Sequence, residues 1–316
     1  MKPTSIISLV IAVLLVIVGL VGCIIAQNMA KANDEYLFAE NRGDDLIQKI
    51  DLTDSEISKI ELIADNVQIN IHGRQEKSYI EFINFRENYY SLSTANRVLS
   101  FDEIPDIKSM LKFWENGFSF KGMRYILNFN NQSNENREKI INIYLSNDKE
   151  IKIFDIKSDT LQLNIESMTT GTDYNITTKN AVIKADVIRT SSAFNINNGT
   201  NDTAANSVSL DFETALIQYL NVNAQELNLQ SNKFRCAGEA NIVSESGSIS
   251  LGTINKPADI KLDITTESGK INIDGSEVMS PYTQSNNEST TGLIKITTES
   301  SDVTITASNT DSNTNQ

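Results

Sequence analysis

The chain is short of the residues on which most enzymes and metal proteins depend. Its 316 residues include one histidine, one tryptophan, two cysteines and four prolines. With His72 as the lone imidazole, a multi-histidine metal centre is excluded, and a Ser-His-Asp triad would have to be built on that one residue. His72 closes the alternating run VQINIHGRQ at a glycine turn, the place of an exposed strand-end side chain. Cys23 and Cys236 provide neither a disulfide framework nor a cysteine zinc site. Cys236, in NKFRCAGEAN, reads as a small buried apolar residue with no base to activate it. Basic residues are scarce too: 27 Lys and Arg against 41 Asp and Glu give a formal charge of -14. That balance argues against a nucleic-acid partner, because phosphate binding needs clustered Lys and Arg.

What the chain does have is one long apolar run. Ile6 to Ala26, IISLVIAVLLVIVGLVGCIIA, contains no charge. As a helix its 21 residues would extend about 31 Å, the thickness of a bilayer core. The short tail before it favours a cytoplasmic N-terminus. The expected organisation is a cytoplasmic tip and single transmembrane anchor over 1–27, with all that follows outside a cell membrane. A second reading takes LVGC, Leu20 to Cys23, as a lipoprotein box with Cys23 lipidated. The apolar residues Ile24, Ile25 and Ala26 beyond the cysteine weigh against it.

Residues 28–56 are polar and mixed, and read as a juxtamembrane linker. From 57 to 307 the chain becomes a series of short runs in which apolar and polar residues alternate, as in DITTESGKINI and VTITA. Period two with one buried face marks strands. No apolar pattern of helical period is long enough for a crossover helix. The fold class is therefore all-β, and both a β-solenoid and a β-sandwich ectodomain fit the pattern. A more aromatic insertion over 104–135, holding the only tryptophan, interrupts the rhythm; it could be a platform on which rings stack against sugars, and the reading adopted is a cap of the core. Residues 308–316, with no apolar residue, are expected to be a disordered tail.

One motif recurs. Glu245 with Gly247, Glu267 with Gly269, and Glu299 sit in SESG, TESG and TESS contexts, 22 and then 32 residues apart. The longer step contains SEVMSPYTQSNNESTT, which reads as an inserted surface loop. Three chemistries fit a row of carboxylates: a solvated turn, a calcium-binding ladder, or a catalytic acid pair. The glycine-rich signature of calcium-binding β-rolls is absent, and each glutamate is flanked by Ser or Thr at a bend. The turn is the reading adopted, with glycine supplying positive φ. No catalytic, cofactor or metal residue is assigned.

The anchor, the run ISKIELIADNVQINI, the run INIYLSNDKEIKIFDIKSD and the serial TESGKINI units together resemble the putative-adhesin β-strand-repeat family of membrane-anchored bacterial envelope proteins. The likeness covers roughly residues 55 to 307. It implies an outward-facing, non-catalytic binding or scaffold module whose partners are the membrane and a cell-wall polymer or another envelope protein. The family carries no established catalytic residues to transfer. Two other readings stand beside it: an envelope-stress regulatory component, and a β-helix enzyme acting on polysaccharide.

Overall fold

The computed structural model describes residues 46–85, 90–103, 138–168, 171–197, 204–285 and 292–308. The expected anchor over 6–26, Cys23 and the aromatic insertion over 104–135 lie outside these residues. Among the described residues no helix is long and apolar enough to cross a membrane.

Sixteen strands account for nearly all of this region: β1 Leu46–Asp51, β2 Lys59–Ile63, β3 Val67–Gln75, β4 Tyr79–Ile83, β5 Tyr90–Ala95, β6 Val98–Glu103, β7 Lys139–Ser146, β8 Ile153–Ile165, β9 Asp173–Ile196, β10 Ala205–Thr253, β11 Lys261–Thr266, β12 Ile271–Ile273, β13 Ser276–Val278, β14 Tyr282–Gln284, β15 Leu293–Thr298 and β16 Asp302–Ala307. A 3-10 turn, Pro257–Asp259, precedes β11.

The chain advances in laps, here called rungs, that lie on one another in parallel. Ile153 pairs with Asp173 and Leu161 with Ala181, an offset of 20 residues. β9 and β10 are too long to be straight strands. Within β9 the pairing with β10 runs from Asn180 to Ile196 with an irregularity after Thr190. β10 stacks on itself in the same way, Ile254 N–H donating to the Phe234 carbonyl at 3.0 Å.

Alternation explains the strands, and its interruptions explain the corners. In β8 the inward set Phe154, Ile156 and Ser158 is followed by two outward residues, Asp159 and Thr160, before Leu161, Leu163 and Ile165 resume inward. A one-residue slip would turn the next run inside out in a flat strand. Here the chain bends, so the new phase still faces the core. The inward residue at the bend is a hydroxyl that bonds the backbone two residues on. Ser158 Oγ donates to the Thr160 carbonyl and Thr178 Oγ1 to the Asn180 carbonyl, both at 2.8 Å.

The interior is one continuous apolar column. Ile69, Ile71, Ile141, Ile143, Ile183, Ile242, Ile264, Ile296 and Ile305 are completely buried. Each such side chain contributes about 1.5–3 kcal/mol by leaving water. Phe154, Tyr174 and Phe194 stack rung upon rung with centroids 5.4 and 5.3 Å apart.

Order in sequence and order in space part company at both ends. The β2–β3 rung lies between the β6–β7 rung and β8, although β6 and β7 fall between β3 and β8 in the chain. At the other end the β15–β16 rung lies between β10 and the β11–β12 rung. Among the described residues antiparallel pairing is confined to these ends: β4 on β7 with β1 on β4, β5 on β6, β14 on β11, and β13 on β12.

Among the described residues strand pairing is already present at Leu46–Asp51, where β1 runs along β4, and Leu52 is fully buried. One sequence expectation is corrected here. The stretch SEVMSPYTQSNNESTT is not merely a loop, since it supplies β13 and β14, which finish the outer edge.

Candidate functional site

The three glutamates stand at one corner of adjacent rungs, in the spatial order Glu245, Glu299, Glu267. Glu299 N–H donates to the Ser244 carbonyl at 3.3 Å, and Glu267 N–H to the Glu299 carbonyl at 3.1 Å. All three side chains are exposed. Among the described residues no three His, Cys, Asp or Glu side chains gather as metal ligands.

The buried chemistry of the motif belongs to the residue before each glutamate. Ser244, Thr298 and Thr266 are register partners and all are buried. Ser244 Oγ donates to Thr298 Oγ1 at 3.2 Å, and Thr298 Oγ1 donates to Ser301 Oγ at 2.7 Å. Thr266 Oγ1 accepts the Gly269 N–H at 2.9 Å. The repeated Thr-Glu and Ser-Glu pairs carried this signal in the sequence. It is a corner in which every hydroxyl is spent on holding the bend.

The glycines at that corner serve two different needs. Gly247 has φ +119, and a Cβ there would lie 2.0 Å from the Leu227 carbonyl oxygen. Gly269 does not have positive φ, contrary to the reading of its turn. It is required because a Cβ would meet the Ser301 carbonyl oxygen at 2.0 Å. Close approach of the next rung, not backbone handedness, selects glycine at 269.

His72 is not a free strand-end side chain. Its ring stacks on Tyr144 with centroids 4.7 Å apart, and Nδ1 lies 2.9 Å from Glu166 Oε2. Tyr144 stacks in turn on Tyr79 at 4.4 Å, and Lys49 Nζ caps Tyr79 at 3.6 Å from the ring centroid. The strip therefore spends its ring faces on itself, stitching β3, β7, β4 and β1 across the outside, with Glu166, just past β8, held at its end. Among the described residues no serine, threonine or cysteine hydrogen-bonds to His72.

Cys236 is buried, and Sγ donates to the Gln218 carbonyl at 3.2 Å. Burial pushes the thiol up to about 11, the opposite of what a nucleophilic cysteine needs.

Lys149 was not singled out by the sequence. It is buried, donates to the Ser55 carbonyl and, at 3.0 Å, to Ser55 Oγ. Burial, aided by Arg97, lowers its pKa. A lysine beside a serine hydroxyl invites a dyad reading, but Ser55 Oγ donates its proton to the Leu52 carbonyl at 2.9 Å. The pair pins the turn that follows β1.

The outer faces carry lines of amides. Asn164 Nδ2 donates to Asn70 Oδ1 and Asn70 Nδ2 to Asn142 Oδ1, both at 2.8 Å. A second line runs Asn221 to Asn195 to Asn175 at 2.7 and 2.9 Å. Identical residues in parallel register, about 4.8 Å apart, bond in this way wherever rungs stack.

No family model matches the chain, and no curated protein matches it. Among solved structures it is similar to a "putative cell adhesion protein" of Clostridium sporogenes, with 14% identity, 83% of this chain and 98% of that one covered, and a TM-score of 0.35. It is also similar to a "putative adhesin" of Parabacteroides merdae, with 12% identity, coverage of 84% and 97%, and a TM-score of 0.26.

Proposed function

We propose that this chain is a membrane-tethered, extracytoplasmic β-solenoid that acts as a non-catalytic, adhesin-like binding module for cell-wall polymer. The observation that carries this reading is the pair of amide lines, Asn142–Asn70–Asn164 and Asn175–Asn195–Asn221, on the outside of a rigid ladder. Their side chains are held in place before any partner arrives, so little rotamer freedom is lost on binding. Uncharged donors and acceptors at the rung spacing suit a polymer with repeated hydroxyl and amide groups. The tether rests on the apolar run from Ile6 to Ala26.

The test is retention of the soluble ectodomain, residues 28–316, on isolated cell-wall fractions and, in parallel, on solubilised membrane proteins. Retention on the wall fraction that survives high salt, and that falls when Asn70 and Asn195 are both changed to Ala, is expected. Absence of retention on the wall fraction, or retention only on membrane proteins, would overturn the polymer reading. Protease added to intact cells should degrade the region beyond residue 28, and its protection would refute the outward orientation.

A further inference from the structure

The β15–β16 rung comes later in the chain than both rungs it separates. On one side Ile294 and Ile296 pair with Ala240 and Ile242 of β10; on the other they pair with Leu262 and Ile264 of β11. β16 repeats the arrangement, Val303 and Ile305 lying between Ile249 and Leu251 of β10 and Ile271 and Ile273 of β12. The two flanking rungs are consecutive in sequence, so a slot between them exists in any chain whose later segment has not yet arrived.

Two rungs compete for the face of β10 by side-chain pattern alone. Ile264, Thr266, Ile271 and Ile273 of the β11–β12 rung stand in register with Ile296, Thr298, Val303 and Ile305 of the β15–β16 rung. The position before the strand tells them apart. Gly292 precedes β15, and a Cβ there would lie 2.1 Å from the Gly238 carbonyl oxygen. The corresponding residue before β11 is Ile260. In the register that β15 uses, its side chain would occupy space already held by the Gly238 backbone. The slot is thereby reserved for residues 293–307.

We propose that this reserved slot is an interaction site for the same segment of a second copy of this chain, so that two copies exchange their β15–β16 rungs. Every contact in the exchanged pair is one already present within a single chain, which makes exchange a low-cost route to a dimer. Association then follows concentration, with no new surface required, and Gly292 decides that the incoming segment fits.

The test uses the full-length chain in detergent solution with Cys23 and Cys236 both changed to Ala. One tagged copy carries Ser250→Cys and a differently tagged copy carries Thr304→Cys, positions that are register partners on the outer face. The copies are unfolded together, refolded at low and at high concentration, and oxidised; light scattering gives the mass of unoxidised samples. Expected is a disulfide-linked heterodimer whose yield rises several-fold with concentration and which disappears when both copies carry Gly292→Val. A monomeric mass at both concentrations would overturn the proposal. So would a dimer that lacks the 250–304 link, or one that survives Gly292→Val.

Discussion

Ser244 and Thr298 lie 54 residues apart in the chain, yet their hydroxyls meet at 3.2 Å inside the ladder, with Ser301 Oγ 3.0 Å from Ser244 Oγ. Thr298 Oγ1 also accepts the Ser301 N–H at 3.0 Å. Replacing Thr298 with Val keeps the shape, strands the buried Ser301 N–H and leaves the Ser244 and Ser301 hydroxyls with only each other. The expected loss is about 1–3 kcal/mol, read from the midpoint of urea denaturation. An unchanged midpoint would show that the corner hydroxyls do not hold the bend.

Two glycines with positive φ make a controlled comparison. At Gly247 a Cβ meets the Leu227 backbone, whereas at Gly275, φ +80, nothing lies within 4 Å. Gly275→Ala should cost only the left-handed backbone strain, about 1 kcal/mol. Gly247→Ala should cost clearly more, because two rungs must separate. Thermal unfolding of both variants separates strain from crowding, and equal losses would refute the distinction.

Tyr174 is fully buried and its hydroxyl has no hydrogen-bond partner among the described residues. Burial alone pushes its pKa well above the ordinary phenol value. Tyr174→Phe retains the stack with Phe154 and Phe194 and removes the stranded hydroxyl. Stability should rise by about 1 kcal/mol; a lower melting temperature would mean the hydroxyl has a use.

The buried thiol gives a pH signature. Cys236 is neutral when protonated, and burial holds its pKa at about 11, while an unfolded thiol titrates near ~8.5. The raised folded pKa means that its contribution is complete below the unfolded value and is lost as pH climbs towards the folded one. Denaturation midpoints taken from pH 7 to 10.5 should fall more steeply for the native chain than for Cys236→Ala. Parallel slopes would place the thiol in water.

Changing Glu245, Glu267 and Glu299 together to Gln removes three exposed charges. Each should alter stability by no more than about 0.5 kcal/mol, and added calcium should leave the melting temperature of both proteins unmoved. A calcium-dependent rise in the native chain that vanishes in the variant would restore the ladder of metal ligands.

Alternation of Ile and Val with polar residues made the strands legible, because a half-buried strand has no other economical pattern. The order of the rungs was not. Leu262–Thr266 and Ile294–Thr298 are near-copies, and only Gly292 facing Gly238 tells which one lies on β10. That is a contact between residues 54 apart, which no local pattern contains. The corner was misread for a related reason: Gly269 looks like a turn glycine, but its neighbour across the rung sets the requirement. His72 likewise looked free because Tyr144 and Glu166, which hold it, come from other rungs.

The antiparallel strands β1, β5, β13 and β14, each paired on one side only, have a consequence for how such a chain can grow. They finish both ends in antiparallel pairing, and the rungs beneath them are interleaved, so a duplicated parallel repeat added at either end would meet a strand of the opposite sense. Through β8, β9 and β10 the successive rungs follow one another in space as they do in sequence. Lengthening by whole 20-residue units is therefore confined to the middle, and the ends are inherited as fixed fittings.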